Sequence, residues 1–207
     1  MTEHERLVMR NIIYAVETGG QVYGQKDYAD FTEAYTNSSS EHAITIGAGQ
    51  WYGNEARTLL LNIKSADAAT FKKYDNAGVA SDLTKTDWSN YRISKTSAKA
   101  KAIVKIIDSA VGHRCQDKLV DTQMEAYVKE AAALGVTYMD AKMMCANFRH
   151  QGGASAVKRI LAKTAKPILW TTFMPPARQI PEIRLEPIKA VRKWYIMLLK
   201  HTLPIIK

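Results

Sequence analysis

The chain has 207 residues, 46% hydrophobic and 24% charged, a composition that fits an ordinary globular domain and excludes collagen-like or disordered chains. Its formal net charge of +9 admits nucleic acid, a membrane surface or an anionic wall polymer as partner without choosing among them. No apolar run approaches about 18 residues, so no transmembrane helix is expected. Two cysteines, Cys115 and Cys145, set no disulfide framework.

The chain opens Met1-Thr2-Glu3-His4-Glu5-Arg6, acidic where a signal peptide would be basic, so any export is expected to use another route. From His4 to Glu17, Leu7, Val8, Met9, Ile12, Ile13 and Val16 recur at helical spacing, and Gly19-Gly20 stops the helix. Glu17 then stands in the last turn. There the negative end of the helix dipole, with partial burial beside Ile13 and Tyr14, is expected to raise its pKa and suit it to general acid catalysis. The plainer reading is a solvated Glu at a helix end.

Residues 21 to 42 are polar and read as loop, with Asp27 and Asp30 near their start and Ser38-Ser39-Ser40 near their end. Ala43 to Gly53 alternates apolar and small residues, which predicts a short strand. Its glycines let the backbone approach a ligand beside Gln50, Trp51 and Tyr52. Helices are predicted over Asn54 to Ile63 and, with Ser65 as N-cap, over Ala66 to Tyr74. Trp88 and Tyr91 read as core aromatics.

Further helices are predicted over Ser94 to Val111, Cys115 to Leu134, Met139 to Phe148 and Ala154 to Ala162, broken at Gly135 and Gly152-Gly153. The expected fold is therefore mainly α, with a small β element near residues 43 to 50. No His/Cys/Asp cluster has metal-ligand spacing, and His42 has no nucleophile or metal partner in sequence, so neither cofactor nor metal is implied.

A helix ending in Glu17-Thr18-Gly19-Gly20, a polar stretch, then Thr45-Ile46-Gly47-Ala48-Gly49-Gln50-Trp51 resembles the catalytic lobe of the lysozyme superfamily. It is most similar in pattern to the glycosidase modules of phage endolysins and mobile-element cell-wall hydrolases. Gly47-Ala48-Gly49-Gln50 resembles the Gly-Leu-Met-Gln of goose-type lysozymes and lytic transglycosylases. Ala146-Asn147-Phe148 with Gly152 to Arg159 resembles the transglycosylase Tyr-Asn-Ala-Gly motif, although Arg149-His150-Gln151 are interposed.

The resemblance implies an α+β lysozyme-like domain over residues 1–166, a helical bundle with a small β-hairpin lobe beside an active-site cleft. It implies a hydrolase of peptidoglycan glycan strands, with Glu17 as catalytic acid. The second group is left between Glu41, nine positions before Gln50, Asp30 or Asp27 in the loop, and Thr45 positioning a water. Gln50, Trp51, Tyr52 and Asn147 are the expected sugar contacts. Such an enzyme, made without a signal peptide, is expected to reach the cell wall as a phage lysin or a module of a virion or larger machine. Lytic transglycosylase is the nearest alternative. A non-catalytic wall-binding module, or a helical nucleic-acid binder using Lys95, Lys99, Lys101 and Lys105, is the competing class, and nucleic acid is not expected because no recognition motif accompanies those lysines.

Residues 167–207 are different material. All six prolines fall between Pro167 and Pro204, and from Ile168 onward seven basic residues face only Glu182 and Glu186. Ile188 to Leu203 can be drawn as a basic amphipathic helix. The stretch also reads as a frameshifted C-terminus, because plausible codons for it, read one nucleotide earlier, can spell a polar helix-and-loop segment.

Overall fold

The computed structural model describes residues 1–18, 26–169 and 172. It is mainly helical with one small antiparallel sheet. In order the elements are α1 (Glu3–Thr18), β1 (Phe31–Thr32), β2 (Thr45–Ile46), β3 (Trp51–Tyr52), α2 (Asn54–Ala66), α3 (Ala68–Tyr74), α4 (Val79–Asp82), α5 (Ala98–Ile107), α6 (Ala110–Ala133) and α7 (Met139–Ala162). The chain divides into two compact units. Among the described residues, one holds Met1–Val16 and those from Asp121 onward, the other Glu17, Thr18 and those from Lys26 to Val120.

The second unit carries the sheet, ordered β1-β2-β3. Its register sets Phe31 beside Ile46 and Ile46 beside Trp51, and directly opposed residues share a sheet face. These three are 3%, 0% and 0% exposed, so this is the core face. The other face carries Thr32, Thr45 and Tyr52. Helix α2 packs on β3, α3 and α5, burying Leu59, Leu60 and Ile63 with Phe71, Ile103, Ile106 and Ile107.

Local polar bonds set the helix ends. Asp67, rather than the expected Ser65, caps α3 by accepting from Thr70 N at 2.8 Å and Thr70 Oγ1 at 2.6 Å, which also holds its carboxyl below the usual range. Ser97 caps α5 by accepting from Ala100 N, so that helix begins at Ala98, four residues after the expected Ser94. The helix expected to run on to Val111 ends at Ile107. Ser109 Oγ donates to Ile106 O at 2.6 Å and accepts from Gly112 N at 3.0 Å, closing one helix and opening the next. The polar run before residue 43, expected to be loop, supplies β1. Trp88 is fully buried, donates through Nε1 to Asp82 O at 3.1 Å and stacks on Tyr91 with ring centroids 3.9 Å apart.

Asp82, 7% exposed, accepts from Tyr91 Oη at 2.6 Å and from Lys99 Nζ at 2.5 Å. Lys99, counted in sequence among candidate phosphate contacts, is thus engaged in an internal ion pair. Burial pushes the Asp82 carboxyl up, but the bonds from Lys99 and Tyr91 outweigh it and hold it below its ordinary 3.8. The tyrosine hydroxyl is driven up by burial and by Asp82, so it stays a donor. Because the folded pKa lies below the unfolded one, the stabilisation is full above the unfolded value and is lost as pH falls through the folded one. The melting temperature of the wild type should therefore fall more steeply than that of Asp82→Asn between about pH 5 and pH 3. At pH 7 the variant should be less stable by about 1–3 kcal/mol, as read by denaturant titration.

The first unit is built from most of α1, the end of α6, and α7. A capping box starts α1: Thr2 Oγ1 accepts from Glu5 N at 3.2 Å while Glu5 Oε2 accepts from Thr2 N at 2.6 Å. Val8, Met9, Ile12 and Ile13 form the buried face of α1, and Met124, Val128, Met143, Met144, Phe148 and Ile160 complete this unit's core. Arg6 bonds Glu125 at 2.8 Å and Arg10 pairs with Asp121 at 3.2 Å. The predicted break at Gly152-Gly153 lies at Gly153, whose φ of 74° and ψ of 176° interrupt α7. No described helix is long and apolar enough to cross a membrane.

Candidate active site

The turn between β2 and β3, Gly47 to Gln50, is where the second unit gathers its polar side chains. Gly47 has φ +74°, and a Cβ there would lie 2.5 Å from Gln116 Oε1, so only glycine fits. A Cβ on Gly49 would lie 2.7 Å from the Trp51 ring. The two glycines therefore serve close packing within the protein. Trp51, expected to stack on sugar, is instead fully buried, because the bare glycine backbone lets its ring close over the turn from inside.

Gln50 behaves differently. Its φ of 50° places a non-glycine residue in the left-handed region, the kind of local strain that clusters at functional sites. Its Nε2 donates to Asp30 Oδ2 at 2.5 Å and to Gly47 O at 3.0 Å. Gly47 N donates back to Asp30 O at 2.8 Å, and Thr32 Oγ1 reaches Asp30 Oδ2 at 3.4 Å. A half-buried carboxylate at the start of β1 is thus fixed by an amide from the far side of the sheet. Thr45, 6% exposed, lies on the face shared with Thr32 and Tyr52.

Glu17 is half-buried in the last turn of α1, as its spacing predicted, while Gly19-Gly20 lie outside the described residues. α1 up to Val16 groups with the first unit, but Glu17 groups with the unit that holds the sheet. Asp27 is exposed, and its Oδ1 accepts from Ala29 N at 3.2 Å. Glu41 sits in the β1–β2 loop, where its backbone O accepts from Tyr35 N at 2.7 Å and its carboxylate has no hydrogen-bond or ion-pair partner among the described residues. Asn147 is 1% exposed in α7, in the other unit, and accepts from Gln151 Nε2 at 3.2 Å. Its bonding is local to its helix, and nothing in that bonding carries a sugar contact.

Two features were missed in the sequence. Gln116, fully buried, accepts from Ala48 N at 2.9 Å through Oε1. Through Nε2 it donates to Ile107 O at 2.9 Å and Tyr28 O at 3.1 Å. One side chain so ties the β2–β3 turn, the approach to β1 and the end of α5 to α6. Its signal was a glutamine among the inward positions Val111, Gly112 and Val120. The second is an exposed aromatic. Tyr35, at φ 65° and 45% exposed, bonds His42 Nδ1 through its hydroxyl at 3.1 Å, with the Arg92 guanidinium 4.9 Å above its ring. Tyr52 Oη accepts from His42 N at 2.8 Å, so the Tyr52 hydroxyl braces this loop. An aromatic standing alone in a polar run was the available cue.

Among the described residues no group of His, Cys, Asp and Glu is placed to hold a metal ion. Burial pushes the Cys145 thiol up to about 12, which leaves it unreactive. The site's chemistry is that of carboxyls, hydroxyls and amides. Comparison with protein-family models, with curated proteins and with solved structures found no match.

Proposed function

We propose that the chain is a lysozyme-like glycoside hydrolase acting on the amino-sugar backbone of peptidoglycan. Glu17 protonates the glycosidic oxygen, and the Asp30 carboxylate, held by Gln50 and Thr32, acts at the anomeric carbon directly or through a water that Thr45 helps to place. Tyr35 and Tyr52 offer ring and hydroxyl contacts to the sugar in the role first given to Trp51. The observation that carries this reading is the company of Glu17. Glu17 and Thr18, the last two residues of α1, group not with the rest of their helix but with the unit in which Gln50 fixes the Asp30 carboxylate.

Asp30 is preferred to Glu41 because it is fixed by two side chains, as a group acting at one atom must be. The test is digestion of purified peptidoglycan with mass analysis of the fragments. Fragments with a free reducing end are expected. Fragments lighter by one water, ending in an anhydro sugar, would assign a lytic transglycosylase instead. In the same assay Asp30→Asn should slow release about 100-fold or more, and Glu41→Gln should leave it within about twofold. The reverse order would return the second role to Glu41.

A further inference from the structure

Arg92 stands exposed in the second unit, and its place is fixed from both ends. The preceding Tyr91 stacks on the buried Trp88, donates through its hydroxyl to Asp82 at 2.6 Å, and accepts at its carbonyl from Ile44 N at 3.0 Å. The backbone that carries Arg92 is therefore pinned to the core and to the residue before β2. At its far end, Arg92 Nε donates to His42 O at 3.1 Å and the guanidinium lies 4.9 Å over the Tyr35 ring. Its two terminal nitrogens have no hydrogen-bond or ion-pair partner among the described residues.

An exposed arginine is ordinarily a mobile, solvated side chain. This one has already given up its freedom, and a guanidinium held by its Nε and its flat face presents the remaining edge as a ready fork for two parallel hydrogen bonds. The carboxylates nearby in the fold leave that edge open. Glu33 accepts from Ser94 Oγ at 3.2 Å and from Lys95 N, and Glu41 pairs with no cation among the described residues. Tyr35, under the guanidinium, is one of the two non-glycine residues at positive φ, and the other is Gln50, which fixes Asp30.

The sheet joins these two places. Asp30 is bonded by Thr32, Thr32 stands opposite Thr45, Thr45 opposite Tyr52, and the Tyr52 hydroxyl accepts from His42 N at 2.8 Å. The row crosses three strands, about 10 Å of sheet. A branched substrate engaged at Asp30 can therefore extend a side arm toward Arg92.

We propose that Arg92, held over Tyr35 and against His42, is a subsite for a carboxylate of the substrate, the free acid of the peptide that the amino sugars of the wall carry. The inference rests on the peptidoglycan reading above and adds the peptide branch to what the chain recognises. The sugar backbone meets Asp30, and the branch supplies the planar two-oxygen anion that a guanidinium edge matches.

The probe is a soluble muramyl peptide ending in a free carboxylate, one amino sugar with its peptide and no glycosidic bond to cut, compared with the same compound amidated at that carboxylate. Each is titrated calorimetrically into the full 207-residue chain and into its Arg92→Gln variant. The acid is expected to bind saturably and at least about tenfold more tightly than the amide. Arg92→Gln should bring the acid down to the affinity of the amide and leave the amide within about twofold. Equal affinity for acid and amide, or no saturable binding of the acid, overturns the proposal without any variant. An equal loss for both ligands in Arg92→Gln also overturns it, leaving Arg92 a purely structural role. The two readings fail separately. Reducing-end release from peptidoglycan with acid and amide bound alike removes the subsite alone, and acid-selective binding without release removes the hydrolase and keeps the subsite.

Discussion

Replacing Glu17 by glutamine is expected to lower the rate of reducing-end release from peptidoglycan by about 10²–10⁴-fold, the span typical of a lost general acid. Glutamine keeps the size and hydrogen-bonding reach of the side chain and removes only its proton. The far-UV circular dichroism spectrum and sedimentation with insoluble peptidoglycan should therefore stay close to wild type. A variant that binds and does not cut separates an enzyme from a wall-binding module, whose behaviour the substitution would leave unchanged.

The largest loss of stability is expected at Gln116→Leu. Leucine matches glutamine roughly in bulk, but it leaves Ala48 N and Ile107 O buried, and Tyr28 O half-buried, without the partner they now have. Unmade buried hydrogen bonds cost about 1–3 kcal/mol each, so a destabilisation of about 3–5 kcal/mol is expected once local relaxation is allowed. For a chain of this length that is a fall in melting temperature of roughly 10 °C or more. Because the same side chain holds the turn that carries Gln50, activity measured well below the melting temperature should fall as well. Lys105→Ala, on the exposed face of α5, should change stability by less than about 0.5 kcal/mol.

What was legible in sequence was local. The 3.6-residue spacing of α1 placed Glu17 in a last turn, and the alternation after Ala43 pointed to the strand that became β2. The long helices followed from periodicity and from glycines at 135 and 153. Side-chain chemistry decided the rest. Asp67 outcompeted Ser65 as a cap because its two oxygens serve both the amide and the hydroxyl of Thr70. Ser109 split a continuous apolar pattern into two helices by bonding in both directions.

The candidate site was only half legible for the same reason. Asp30 and Gln50 are neighbours through the antiparallel register, which two-residue strands announce weakly. Trp51 misled because an aromatic beside glycines suits a ligand platform and a packed turn equally. Its complete burial decides for the packed turn. Gln116 lies far along the chain from the turn it supports, and no local pattern links them.

The most direct measurement is reducing-end release from purified peptidoglycan by the wild-type chain and by Glu17→Gln, each followed in the same tube as its sedimentation with the insoluble wall. The account predicts new reducing ends from the wild type, and from the variant binding at wild-type strength with almost none. Equal release by both proteins, or no release by a folded wild type, would contradict it.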